Sequence, residues 1–279
     1  MKKRLACALA VLAVVVLVAS CGEKVTDEAA IRALVEQDTT YFKSGTQGDS
    51  AAGGGLLDDT MLGLWWRGPQ THDPQPRIEV EIVEDSARVS WHQSNYGELI
   101  HWVRTSDTTS ERWVKELTER VQLNAIFLRE GGETETNRGW RFKRLSLAYG
   151  QSDTVSTVRI DSLRIQSSLR DFTITDPLNS YHSPDSLVSF TPGEQLTMTL
   201  YTNTSDCHAF LHAFVGWLFV RAPFEHQGDG VHVGTWNAQL IPGLRFAIFD
   251  ILSTGTLLER TGPYDHNGWL LPYAIKTAD

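Results

Sequence analysis

Between residues 78 and 91 apolar and polar residues alternate with a period of two. Ile78, Val80 and Ile82 alternate with Glu79 and Glu81, then Ala87, Val89 and Trp91 with Arg88 and Ser90. That period fits a strand with one dry and one wet face, and Glu84-Asp85-Ser86 between the two runs fits a hairpin turn. Leu99–Val103 extends the sheet. Val121, Leu123, Ala125 and Phe127 form another strand, and the polar residues 130–138 turn the chain into a further one at 139–148.

A helix precedes these strands. Over residues 27–44, Ile31, Leu34, Val35, Tyr41 and Phe42 fall on one face at helical spacing. Thr26 is the expected N-cap, and Asp27 and Glu28 stand where the helix dipole favours acids. Five glycines within residues 45–55 then make a flexible loop, and Leu56–Trp66 reads as a helical turn leading into a strand.

From about residue 155 only strand patterns remain: Val158–Ile165, Phe172–Ile174, Leu196–Tyr201, Phe246–Leu252 and Trp269–Ile275. Turn signals such as Asp176-Pro177, Thr191-Pro192-Gly193 and Gly228-Asp229-Gly230 separate them. Short strands at this spacing suggest an immunoglobulin-like β-sandwich over residues 158–279. Pro272 should place the last strand at an edge. The apolar run Cys207–Val220 reads as a sandwich-core strand that buries Cys207 as a free thiol.

The opening helix, the hairpin with Asp85-Ser86-Ala87-Arg88-Val89, and the closing pair 125–129 with 139–145 together resemble the NTF2-like (SnoaL-like) superfamily over residues 26–150. That resemblance implies a cystatin-like roll, a helix on a bent antiparallel sheet, with a conical pocket between them. The expected fold is therefore α+β followed by all-β. Some members of the superfamily place an Asp, His or Tyr in the pocket as acid or base. Asp38, Tyr41, His92, His101 and Tyr149 are the residues offered here, and none matches an enzyme family's motif. Asp38, on the helix's apolar stripe, and His101 are the candidate ligand-binding polar groups. Trp65 and Trp66 are the candidate aromatic ones, because neighbours in a strand face opposite ways and one of the two can line a pocket.

The N-terminus carries an address. Lys2-Lys3-Arg4 precedes fifteen apolar residues, Leu5–Ala19, which form a secretion signal too short to span a bilayer comfortably. The signal ends Val18-Ala19-Ser20-Cys21, which resembles a bacterial lipobox. The resemblance implies cleavage after residue 20, a diacylglycerol on the Cys21 sulfur and a short tether over 21–25. Two or three acyl chains, at about 0.8 kcal/mol per buried methylene, anchor stably where one does not. Gly22 resembles an outer-membrane sorting residue. The membrane is thus an expected partner through the lipid.

Losing residues 1–20 leaves 22 Lys and Arg against 34 acids and moves the net charge from −9 to −12. Such a surface argues against nucleic acid. With Cys7 removed and Cys21 lipidated, Cys207 alone remains and no intramolecular disulfide can form.

Other motifs have simpler explanations. On a helix, His208 and His212 would have zinc-binding spacing, but on a strand they lie about 13 Å apart and cannot share one ion. His226 and His232 flank the turn containing Asp229, and glycines needed for positive φ explain that turn without a metal. Gly48-Asp49-Ser50 with Asp229-Gly230-Val231-His232 resembles the blocks of a serine esterase family, but the serine follows a helix and the intervening block is absent. No Walker loop, dinucleotide glycine pattern or Cys-x-x-Cys exists, so no cofactor and no metal are expected. The favoured reading is a non-catalytic envelope lipoprotein binding an envelope protein or small ligand. The alternatives are a carbohydrate-binding or adhesion module using exposed tryptophans, and a pocket enzyme.

Overall fold

The computed structural model describes residues 25–43, 45, 64–104, 109–215 and 218–277. The signal, Cys21 and most of the glycine-rich loop lie outside the described residues. Helix α1 (Asp27–Gln37) precedes β1 (Leu64–Arg67), β2 (Thr71–His72), β3 (Arg77–Val83), β4 (Ser86–Arg104), β5 (Ser110–Arg129), β6 (Trp140–Leu145) and β7 (Ala148–Ser152). Then come β8 (Ile160–Gln166), β9 (Asp171–Ile174), β10 (Ser189–Phe190), β11 (Gln195–Thr202), β12 (Cys207–Val215) and β13 (Leu218–Pro223). The chain continues through β14 (Glu225–Gly228), β15 (Val231–Asn237), β16 (Gly243–Ser253), the short helix α2 (Thr254–Leu258) and β17 (His266–Ile275).

The expected α+β roll followed by an immunoglobulin-like domain does not form. Strand makes up 57% of the structure, and α1 is the only helix longer than five residues among the described residues. The reason lies in pairing. β4 and β5 run 19 and 20 residues and pair from Ser86↔Leu128 to Arg104↔Ser110. β5 also pairs with β7, and β7 with β17. A curled sheet of 12 strands therefore crosses residues 150–157, on the path β1-β4-β5-β7-β17-β16-β12-β13. A second sheet, β14-β15-β11-β8-β9, packs on it. Their shared core joins Leu163, Ile165, Met198 and Leu200 to Leu211, Phe249, Ile251 and Trp269. This is two-layer β packing in which one layer belongs to both parts of the chain.

Helix α1 starts as expected: the Thr26 hydroxyl accepts from the N–H of Ala29 at 3.1 Å. The Asp27 carboxylate accepts from Arg129, Arg138 and the Trp140 indole, which pins the helix to the sheet. Burial works against that charge, but these donors outweigh it and lower the pKa to about 2. The helix stops at Gln37, short of residue 44. There Asp38 is extended, and its carboxylate accepts from the N–H groups of Thr40 and Tyr41, both at 2.7 Å. Short acidic side chains often end helices this way, by offering the backbone a competing acceptor.

Pro272 does not mark an edge. β17 lies between β16 on one side and β7 and β10 on the other. The Ala274 N–H donates to Val188, and N–H groups two apart in a strand point the same way. The Pro272 nitrogen therefore faces the gap between the β7 pairing, which ends at Leu270, and the β10 pairing, which begins at Ala274.

Cys207 is buried, with Sγ 3.5 Å from His232 Nε2. Burial pushes its thiol up to about 11 and lowers His232 to about 4, so the pair is neutral rather than a thiolate–imidazolium. The rings of His226 and His232 stack 4.8 Å apart across the β14–β15 hairpin. Gly230, with φ +72, is required there because a Cβ would stand 2.5 Å from the Thr202 carbonyl oxygen.

Candidate functional site

The concave face of the curled sheet is layered. On β16, Ile248 belongs to the apolar cluster that holds α1, and Leu252 belongs to a second cluster with Trp65, Leu99, Leu117 and Phe210. Asp250 sits between them. On β5, Val121 and Leu117 bracket Glu119 in the same way. A one-residue polar layer thus separates two dry regions.

That layer consists of charges facing one another. Arg67 gives the Asp250 carboxylate two hydrogen bonds, at 2.7 and 3.0 Å, and its Nε donates to Tyr264 at 3.1 Å. His212 Nε2 and His266 Nε2 each lie 2.9 Å from an Asp250 oxygen. His266 Nδ1 is 3.7 Å from Glu119, whose other oxygen accepts from Asn95 at 3.1 Å. Arg67, Glu119, His212, Asp250 and His266 are all buried. Burial would raise Asp250, but Arg67 and the two imidazoles overcome it and hold the carboxyl well below its ordinary range. Burial keeps His266 neutral against the pull of Asp250. An Asp250 carboxylate so engaged is tied up by the protein's own donors, and its lowered pKa is wrong for a base near neutral pH.

Beyond the second apolar cluster lies a different arrangement. Trp65, His101 and Trp113 are successive partners across β1, β4 and β5. The His101 and Trp113 rings stack 3.6 Å apart at 9°. The Arg221 guanidinium lies 3.6 Å over the Trp65 ring, and its Nη2 donates to the Trp65 carbonyl at 2.9 Å. β1 and β13 end the sheet path, so this bond draws the two edges of the curl together. Lys115 Nζ lies 5.1 Å from the Trp113 ring and donates to the Gly255 carbonyl at 2.7 Å. His101 is 0% exposed, yet among the described residues neither of its ring nitrogens has a hydrogen-bond partner, nor has Trp65 Nε1. Burial, and then Lys115 and Arg221, lower His101 to about 3. Burial lowers Lys115 to about 8.

Of the four candidate ligand-binding residues, the structure brings two together. Trp65 and His101 are direct neighbours on the concave face. Trp66 is half-buried on the opposite face of β1. Asp38 terminates α1, beside an open cleft of about 590 Å³ with Gln75 and Trp91. Tyr41 follows the helix and packs against Phe142, 5.5 Å between rings. His92 and Tyr149 line a separate open groove of about 620 Å³ with Gln93, Gln122 and Gln151. His208 and His212 lie on β12, a strand, and only His212 enters the buried layer. Sequence reasoning missed Arg67, Lys115, Glu119, Asp250 and His266. Lys115 and Glu119 fall in phase with Val121, Leu123 and Phe127, a signal that the inward face of that strand turns polar toward its start.

Among the described residues no helix is long and apolar enough to cross a membrane. No protein-family model matches the chain, and no curated protein is similar to it.

Proposed function

We propose that this chain is a lipid-anchored bacterial envelope protein, sorted to the outer membrane, that binds a small ligand or a partner group without transforming it. The lipobox at Val18-Ala19-Ser20-Cys21 supports the address. The binding role is carried by His101, a fully buried imidazole with both nitrogens unsatisfied, held between two tryptophans and two cations. Buried polar groups in native proteins are paired with few exceptions, and this imidazole, flanked by indoles and two cations, is one that a ligand atom would satisfy. The nearby ionic layer supports binding rather than catalysis, because its carboxylate is held by Arg67 and His212 and serves as scaffold. Adhesion through exposed tryptophans has less support. Trp236 and Trp269, the described tryptophans of the C-terminal part, are buried, and Trp102 is the one described tryptophan with a largely exposed surface.

Intact mass spectrometry of the protein extracted from membranes in mild detergent tests both halves. The expected result is a mature chain starting at acylated Cys21, with a small molecule that leaves on denaturation. Cys21→Ser should release the protein from the membrane fraction. A mature N-terminus elsewhere contradicts the anchor, as does a cleaved Cys21→Ser protein that stays membrane-bound. A bare mass at every extraction condition contradicts binding.

A further inference from the structure

We infer that the ligand presents a compact oxyanion, a carboxylate or phosphate group, to the side chains of His101, Lys115 and Trp65 at the seam between β1 and β13. The inference rests on the reading of this row as a binding site and adds the ligand's chemistry.

Charge supplies the first argument. Lys115 is only 5% exposed. Lys115 has three N–H donors and spends one on the Gly255 carbonyl. Among the described residues no carboxylate lies within ion-pair distance of it. Glu259 acts on it only at longer range. The buried acids Asp250 and Glu119 face Arg67, His212, His266 and Asn95 instead. Buried charge is retained where it is paired, so the Lys115 ammonium is a charge that a ligand anion would answer.

Hydrogen bonding supplies the second. Trp65 Nε1 is a donor only, and a neutral His101 has one N–H. With Lys115 they give three donors on one face of three neighbouring strands. An oxyanion can accept from all three, whereas a cation would meet Lys115 head-on. Trp65 and Trp113 exclude water on either side of the imidazole, which strengthens each of these bonds.

The seam supplies the route. Among the described residues no backbone ladder joins β1 to β13; the Arg221 side chain spans the gap to the Trp65 carbonyl. Side-chain rotation can open such a closure without breaking a sheet.

Calorimetric titration of the full-length protein with sodium phosphate and with sodium acetate, at neutral pH and constant ionic strength, tests this. Tryptophan fluorescence serves as the second readout. One of the two anions should bind at one site and change the emission. Heat with phosphate alone identifies a phosphate group, and heat with acetate alone a carboxylate. Lys115→Gln should weaken binding at least about tenfold, which is about 1.4 kcal/mol, and His101→Phe should do the same with its melting temperature kept. Neither heat nor emission change with either anion in the wild-type protein overturns the inference, so it does not depend on the variants folding. Binding unchanged in Lys115→Gln overturns it too. If the extracted protein carries a neutral molecule and ignores both anions, the binding role stands and the oxyanion falls. If it carries nothing and binds nothing, both fall.

Discussion

Asp250→Ala should destabilise the protein by about 3–5 kcal/mol, the usual result of removing one partner from a buried ion pair. At about 2–4 °C per kcal/mol for a chain of this size, the melting temperature should fall by about 6–20 °C. The loss is large because the change strands rather than removes charge. Arg67, fully buried on β1, keeps its guanidinium with only Tyr264 among the described residues to receive it, and His212 and His266 lose the carboxylate they face. The double change Arg67→Met with Asp250→Leu should cost much less than the two single changes combined, since well-packed apolar residues replace buried ion pairs at little net cost. Denaturant unfolding with an unchanged m-value measures each. A shift under about 1 kcal/mol for Asp250→Ala would mean that water reaches the layer.

Acid should weaken the fold well before the carboxylates titrate. His101 and His232 are lowered to about 3 and about 4, and His266 is lowered as well, in each case first by burial. In the unfolded chain they take up protons near the ordinary value of about 6.5. Below that pH the unfolded state binds more protons than the folded one, so stability falls as pH falls. By about pH 4.5, His101 and His232 should together have given up on the order of 5 kcal/mol, at 1.36 kcal/mol per unit for each. Asp250 adds its loss only below about pH 4, because its contribution is complete above the unfolded carboxyl value. Lys115 extends the same slope upward, since between about 8 and 10.5 the unfolded lysine keeps the proton that the folded one has lost, and stability rises with pH there. Urea unfolding across this range should give a rising profile that flattens in His101→Phe. A level profile between about pH 7 and 5 would contradict neutral, buried imidazoles.

Local order was legible in the sequence. The Thr26 cap, the Ile78–Trp91 hairpin and most C-terminal strands follow from spacing and turn chemistry, which act over a few residues. Pairing between distant strands was not. The Leu99–Val103 and Val121–Phe127 patterns read as separate short strands, whereas their hydrogen bonds continue without a break into two strands of 19 and 20 residues. One helix before a bent sheet suggested a closed domain because nothing local reveals that β7 also pairs with β17. The buried layer was illegible for the same reason: Arg67 and Asp250 stand 183 residues apart, and each looks like an ordinary surface charge in its own segment. Trp65 and His101 were legible as residue types suited to binding, and only the register of β1 on β4 makes them neighbours. Asp38 stands where the helix stops, because a carboxylate on an apolar stripe also suits that place.

The claim that His101 is a buried, unsatisfied imidazole in the concave face is tested most directly by its own titration, followed by nitrogen NMR on histidine-labelled full-length protein. His101 should remain neutral from about pH 8 to about pH 4.5, given its lowering to about 3, and its ring nitrogen shifts should move when the oxyanion is added at constant pH. A titration midpoint near the ordinary value of about 6.5, with shifts indifferent to either anion, would place the ring in solvent and contradict the site.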